Sequence, residues 1–326
     1  ALAVPFQTTW NAMDLVGDDH PLFVGRANTF GPRYANLVIQ NADYVLSIGA
    51  RFGIQHTGYD VAGFCRGARL VMVDIDPAEM SKPDLRVSEA VVMDAADFVR
   101  ECLASASSRP STVTPADWLS YCARVRAKFP PVPVKCPKDQ GFVDPKYLVH
   151  VLSDLIPSNA VFPFGSSGMG HTLTGGLFET KLGQRVFTFK GLAAMGYGLP
   201  CVIGAAIAAP DRPCFTLVGE GGLQLNLQEL QTAREYRLPI KLIVLNNGGY
   251  HSNRMTQKSF FGGHFVGSGP SSGVSFPALR DVAALYAMSH YQVGNNKELP
   301  EITKRFVDDP GAAILEVMVD PDVVME

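Results

Sequence analysis

Residues 217–250, "LVGEGGLQLNLQELQTAREYRLPIKLIVLNNGGY", set an acid and an amide among glycines at the two ends of one segment. Glu220 lies in Gly219-Glu220-Gly221-Gly222 and Asn247 in Asn246-Asn247-Gly248-Gly249. Each directly follows an apolar run of strand length, "CFTLVG" before the first and "LPIKLIVLNN" leading into the second. Between them Leu223, Leu227 and Leu230 recur at i, i+4 and i+7, the stripe of an amphipathic helix. Strand, crossover helix and strand make a βαβ unit, in which the two strands are parallel. Glu220 and Asn247 are therefore predicted to emerge at the same carboxyl edge, where open α/β sheets bind their ligands. A carboxylate, an amide oxygen and a free backbone carbonyl form an oxygen-only set suited to Mg²⁺ or Ca²⁺, with positions left for phosphate oxygens and water. The glycines after Glu220 sit at a predicted helix start, where exposed N–H groups and the helix dipole favour phosphate. Either end alone reads as an ordinary turn. The pair at this spacing points to a metal-bound diphosphate.

The remainder of the chain reads as α/β. Its 326 residues, 47% hydrophobic and 18% charged, suffice for a sizeable core and about two domains. A net charge of -3 provides no basic surface for nucleic acid or anionic lipid, so neither is an expected partner. The six cysteines show no C-x-x-C pair and no zinc spacing, so reduced thiols and a cytoplasmic location are expected. Apolar stretches are strand-length and broken by Gly, Pro or charge, and "ALAVPFQTTW" lacks the pattern of a signal peptide, so no membrane partner is expected. From 1 to 104, "ADYVLSIGARF" and "ARLVMVDIDP" are β-rich runs alternating with helical stretches around 35–41 and 95–103, which predicts a helix-covered parallel sheet. Residues 105–140 combine "SASSRPSTVTP", a helical pattern over 116–128 and "FPPVPVKCPKD", and are expected to be an interdomain linker. Strands expected at 160–164, 214–218, 240–245 and 312–319 place a second α/β domain over 141–326. The predicted fold class is α/β, two parallel-sheet domains with helices on both faces.

The Gly-Glu-Gly and Asn-Asn ends resemble the thiamine diphosphate motif, Gly-Asp-Gly followed by Asn-Asn. "GLAAMGYGLPCVIGAAIAAP" is similar to the stretch preceding that motif in acetolactate synthases and related 2-oxoacid decarboxylases and carboligases. "TTWNAMDLVGDDHPLFVGR", "NADYVLSIGARF" and "VDIDPAEMSKP" resemble the second part of the family's central domain, so the likeness covers nearly the whole chain. It implies Glu220, Asn247 and the backbone oxygen of Gly249 as ligands of Mg²⁺, with Ca²⁺ as the alternative, holding thiamine diphosphate. Gly219, Gly221 and Gly222 would meet the diphosphate from one side, and Gly165, Ser166 and Ser167 of "PFGSSGMG" from the other. Met195 is implied as the apolar wedge between the cofactor rings and Ala193 as a carbonyl accepting from the aminopyrimidine; from sequence alone Met195 is a core gap-filler.

The family writes Asp where this chain has Glu220. The extra methylene implies a shifted metal, another carboxylate geometry or weaker affinity, since Mg²⁺ demands near-ideal octahedral ligands. The stretch after Tyr250 falls where the family builds its substrate pocket. Ser252, Asn253, Thr256 and Gln257 are candidates for facing substrate, while His251 and His264 are proton-donor candidates for which a structural role weighs more. The resemblance also implies FAD in the central domain, with Asp74 and Asp76 near Gly49, Arg51 and Phe52 as candidate contacts; an Asp-Pro strand terminator is the equally weighted alternative.

The implied activity is decarboxylation of a 2-oxoacid such as pyruvate, with carboligation to a second carbonyl. In the family a glutamate beside the pyrimidine comes from an N-terminal domain of a neighbouring subunit, and nothing in 1–326 matches it. A glutamate-bearing N-terminal domain or subunit, either separate or a missing segment of the same polypeptide, is therefore the expected partner within a homo- or hetero-oligomer. The alternative is a homologue that binds cofactor without turnover, or an assembly fragment.

Overall fold

The computed structural model describes residues 3–108, 115–138, 141–165, 168–189 and 191–324, so Ser166 and Ser167 lie outside the described residues. The chain divides into two compact units: residues up to Ala12 with Asp18–Pro131, and Met13–Gly17 with the chain from Val132 onward.

The first unit holds three parallel strands in the order β1 (Tyr44–Ile48), β2 (Arg69–Asp74), β3 (Glu89–Val92). β2 is central and buried from Leu70 to Asp74, which is why its apolar run is continuous rather than alternating. Helix Ala116–Lys128, placed by the sequence in a linker, packs within this unit instead: Cys122 joins Val24 and Val38 in one apolar cluster against which Trp118, Tyr121 and Val125 rest. Arg126 pins the helix by donating to the carbonyls of Phe23 (3.2 Å) and Asp18 (3.4 Å).

Among its described residues the second unit contains six parallel strands: β4 (Val161–Phe164), β5 (Arg185–Thr188), β6 (Phe215–Gly219), β7 (Lys241–Asn246), β8 (Ser289–Val293) and β9 (Ala313–Met318). Four of them form a sheet ordered β6-β7-β9-β8, and the β4–β5 pair lies beside β6 through a bridge between Val161 and Cys214. Successive residues of the central strands enter different layers. Leu217, Ile243, Leu245, Leu315 and Val317 pack on one side with Leu148 and Phe162, while Val218, Leu242, Val244 and Ile314 pack on the other with Val202 and Leu230. Each fully buried side chain of this kind contributes about 1.5–3 kcal/mol relative to exposure.

The sequence-predicted strands at 160–164, 214–218, 240–245 and 312–319 correspond to β4, β6, β7 and β9. The crossover helix is broken into a helical turn Glu220–Gln224, a 3₁₀ turn Leu227–Glu229 and a helix Leu230–Glu235. Asn226 sits at the break because its side chain leaves to donate to the Gly196 carbonyl (3.0 Å), tying down the turn that carries Met195.

Candidate active site

β6 and β7 pair in parallel with Gly219 opposite Leu245, so the chain leaves both strands at one edge, a single residue apart in register. Glu220 opens the helical turn after β6 and is 4% exposed. Its Oε1 accepts the backbone N–H groups of Asn247 (3.0 Å) and Gly249 (2.8 Å), which locks the turn after β7 onto the carboxylate. Its Oε2 is buried and has no hydrogen-bond partner among the described residues. Burial raises the Glu220 pKa, an effect that outweighs the backbone N–H groups and the nearby Arg254 charge. A buried carboxylate is ordinarily paired, coordinated to a cation or neutralised by a proton, and Oε2 has no protein partner among the described residues. Among the described residues there is no cluster of three or more His, Cys, Asp or Glu, and the oxygen-bearing groups that the two strand ends bring together are the Glu220 carboxylate, the Asn247 amide and the backbone after it. That set fits a hard divalent ion.

The glycines make room for this packing. A Cβ on Gly221 would come within 2.5 Å of the Tyr250 ring, and one on Gly249 would overlap the Ser268 carbonyl. A Cβ on Gly168 would overlap the Ser252 hydroxyl. The resulting cleft, about 260 Å³, is lined by the first turns of helices Gly168–Leu177 and His251–Phe260, by Gly221 and Gly222, and by Met195 and Asn247. Tyr250 precedes the helix His251–Phe260 without a side-chain cap, the setting in which first-turn N–H groups can take an anion.

The sequence candidates separate accordingly. Gly219, Gly221, Gly222, Asn247, Gly249, Met195, Ser252 and Asn253 line the cleft. Gly165 follows β4 and lies close to Gly198, and it and Ala193, at φ 49°, stand outside the cleft lining. Gln257 is committed to its own loop, donating to the Val266 carbonyl (2.9 Å) and accepting from the Ser268 hydroxyl (2.8 Å). Thr256 and His264 do not line the cleft. His251 lines it, yet its Nε2–H is spent on the Val323 carbonyl (2.7 Å), and burial lowers its pKa toward the neutral ring.

Arg254 is the residue that sequence reasoning missed. It is 8% exposed and its Nη2 donates to Asn247 through both the backbone oxygen (2.9 Å) and Oδ1 (2.8 Å), fixing the orientation of that amide. Nη1 donates to the Ser268 carbonyl and Nη2 also to that of Pro321, each at 3.2 Å. In the first unit, Asp76 caps the turn Pro77–Met80 through the Ala78 N–H (2.9 Å), whereas Asp74 Oδ2 is buried without a partner among the described residues.

The carboxyl edge of this parallel sheet brings the oxygens of Glu220 and Asn247 beside the start of helix His251–Phe260, which has no side-chain cap, an arrangement of the kind that suits a phosphate-bearing ligand. Residues 166–317 match the family model for the C-terminal TPP-binding domain of thiamine pyrophosphate enzymes, and residues 1–102 match that for their central domain. The chain belongs to the thiamine pyrophosphate enzyme family. Within it, the chain is similar to acetolactate synthase large subunits. The one from Pyropia yezoensis is 28% identical over 97% of this chain and 52% of its own length. Isozyme 1 of Escherichia coli (strain K12) is 28% identical over 98% of this chain and 54% of its own length. The chloroplastic acetolactate synthase 1 of Zea mays is 27% identical, with 97% and 50% covered. The chain thus spans about half the length of the curated relatives it matches.

Proposed function

We propose that this chain binds thiamine diphosphate through Mg²⁺ and serves an acetolactate synthase-like reaction, decarboxylation of a 2-oxoacid such as pyruvate followed by carboligation to a second carbonyl. The observation that carries the reading is the buried Oε2 of Glu220, unpartnered among the described residues, on a carboxylate whose Oε1 accepts the N–H of Asn247, a residue that lines the cleft together with Gly219, Gly221 and Gly222. Glu220, Asn247 and the Gly249 carbonyl would hold the cation, with Ca²⁺ the alternative that tolerates the longer acid more readily. Gly221, Gly222 and the first turns of the flanking helices would take the diphosphate through backbone N–H groups. Met195, an apolar surface in the cleft, would support the rings. When bound, thiamine diphosphate supplies the carbon nucleophile and the ring that takes up the electron pair left by departing CO₂.

None of the described residues lining the cleft is Asp or Glu. The acid that moves a proton at the aminopyrimidine is therefore proposed to come from a partner domain or subunit bearing a glutamate. Exchange of the C2 proton of bound thiamine diphosphate, followed by NMR, is expected to be slow with this chain alone. It should become about 10²–10⁴-fold faster once that domain is supplied. Fast exchange with the chain alone would overturn the shared-site reading. In the first unit, Asp74, whose Oδ2 is unpartnered among the described residues at the carboxyl end of β2, would be the acid to accept from a ribose hydroxyl if FAD binds there.

A further inference from the structure

The motif carries two asparagines, and only Asn247 has a part in holding the cation. Asn246 ends β7 half-buried, and both ends of its amide are used. Its Oδ1 accepts the Gly248 N–H (3.2 Å) and its Nδ2 donates to Glu316 Oε1 (2.6 Å). Glu316 is 6% exposed in β9, on the face that Ile314 buries, where an apolar side chain would cost less. Its Oε2 accepts from Gln292 (3.3 Å) and lies 2.9 Å from His290 Nε2, both on β8. A carboxylate only accepts, so Nδ2 of Asn246 must face Glu316 and Oδ1 must face Gly248. That amide folds the turn at Gly248, φ 72°, and so delivers the Gly249 N–H to Glu220 Oε1.

We infer that Asn246 is a positioning residue for the cation-binding turn and that Glu316 is the anchor that fixes its amide. The inference rests on the function proposed above. Aspartate at 246 would keep the acceptor for Gly248 but set a second carboxylate against Glu316. Glutamine at 316 would relieve the clash by donating to the new acid, while its oxygen still accepts from His290 and Gln292.

The test compares N246D, E316Q and N246D/E316Q in the full chain by two readouts. One is calorimetric titration of thiamine diphosphate in Mg²⁺, and the other is hydrogen exchange of the Gly249 amide without metal. N246D is expected to weaken Mg²⁺-dependent binding about 10–100-fold. It should also speed Gly249 exchange about tenfold, and the double variant should return both to within about threefold of wild type. Wild-type behaviour of N246D in both readouts, or a double variant no better than N246D, overturns the inference. A wild-type chain that binds no thiamine diphosphate refutes the proposed function instead, and the exchange readout then decides the inference. Should N246D fail to fold, recovery of folding by E316Q supports the pairing and its absence overturns it.

Discussion

Glu220 is buried with one oxygen bonded to two backbone N–H groups and the other open, and desolvation raises its pKa against the pull of those groups and of Arg254. A group kept for a ligand in this way is a cost to the chain without the ligand. Glu220→Gln is therefore expected to leave the metal-free chain at least as stable in thermal unfolding, while removing the Mg²⁺ dependence of thiamine diphosphate binding. A marked loss of metal-free stability would show the carboxylate to be structural. Glu220→Asp probes its length. The methylene carries Oε1 to the N–H groups of both Asn247 and Gly249, and shortening the side chain by roughly 1.5 Å gives up that reach. Weaker Mg²⁺-dependent binding, by about tenfold or more, is expected in calorimetry. Tighter binding would mean that the turn closes onto the shorter acid.

The helices His251–Phe260 and Gly168–Leu177 meet where Gly168 faces the Ser252 hydroxyl. Gly168→Ala should cost about 1–3 kcal/mol by overpacking. Most of that loss should be recovered in a Ser252→Ala background, because the overlapping atom is then gone; additive losses in denaturant unfolding would contradict this packing. The legibility of the elements follows from their neighbours. β6, β7 and β9 are covered on both faces, so their apolar runs stand out in the sequence. β3, β5 and β8 are short and partly exposed, and their mixed residues, Ser289–Val293 among them, carry no such signal. The crossover helix was overdrawn because the leucine stripe does not reveal that Asn226 is drawn away to Gly196. At the site, Glu220 and Asn247 were legible because each sits at the end of an apolar run. Arg254 and Glu316 were not. Their partners are backbone carbonyls of Ser268 and Pro321, or side chains on other strands, which only the folded sheet brings together.

Across the molecule no helix among the described residues is long and apolar enough to cross a membrane, and all six cysteines are free thiols. They differ in chemistry: burial pushes the Cys65 thiol up to about 12, while Cys136 is exposed. Iodoacetamide followed by mass spectrometry should label Cys136 first and Cys65 only after unfolding; early labelling of Cys65 would show that the first unit opens readily. The second unit bears the proposed function, and the cation decides whether it holds the diphosphate. The most direct measurement is calorimetric titration of thiamine diphosphate into the full chain, with Mg²⁺ and with a chelator, repeated on Asn247→Ala. Binding in Mg²⁺ should fall by about a hundredfold or more in chelator, since the two phosphates need cationic neutralisation beside Glu220, and Asn247→Ala should move the Mg²⁺ curve toward the chelator curve. Equal affinity with and without chelator would contradict the metal-held diphosphate site.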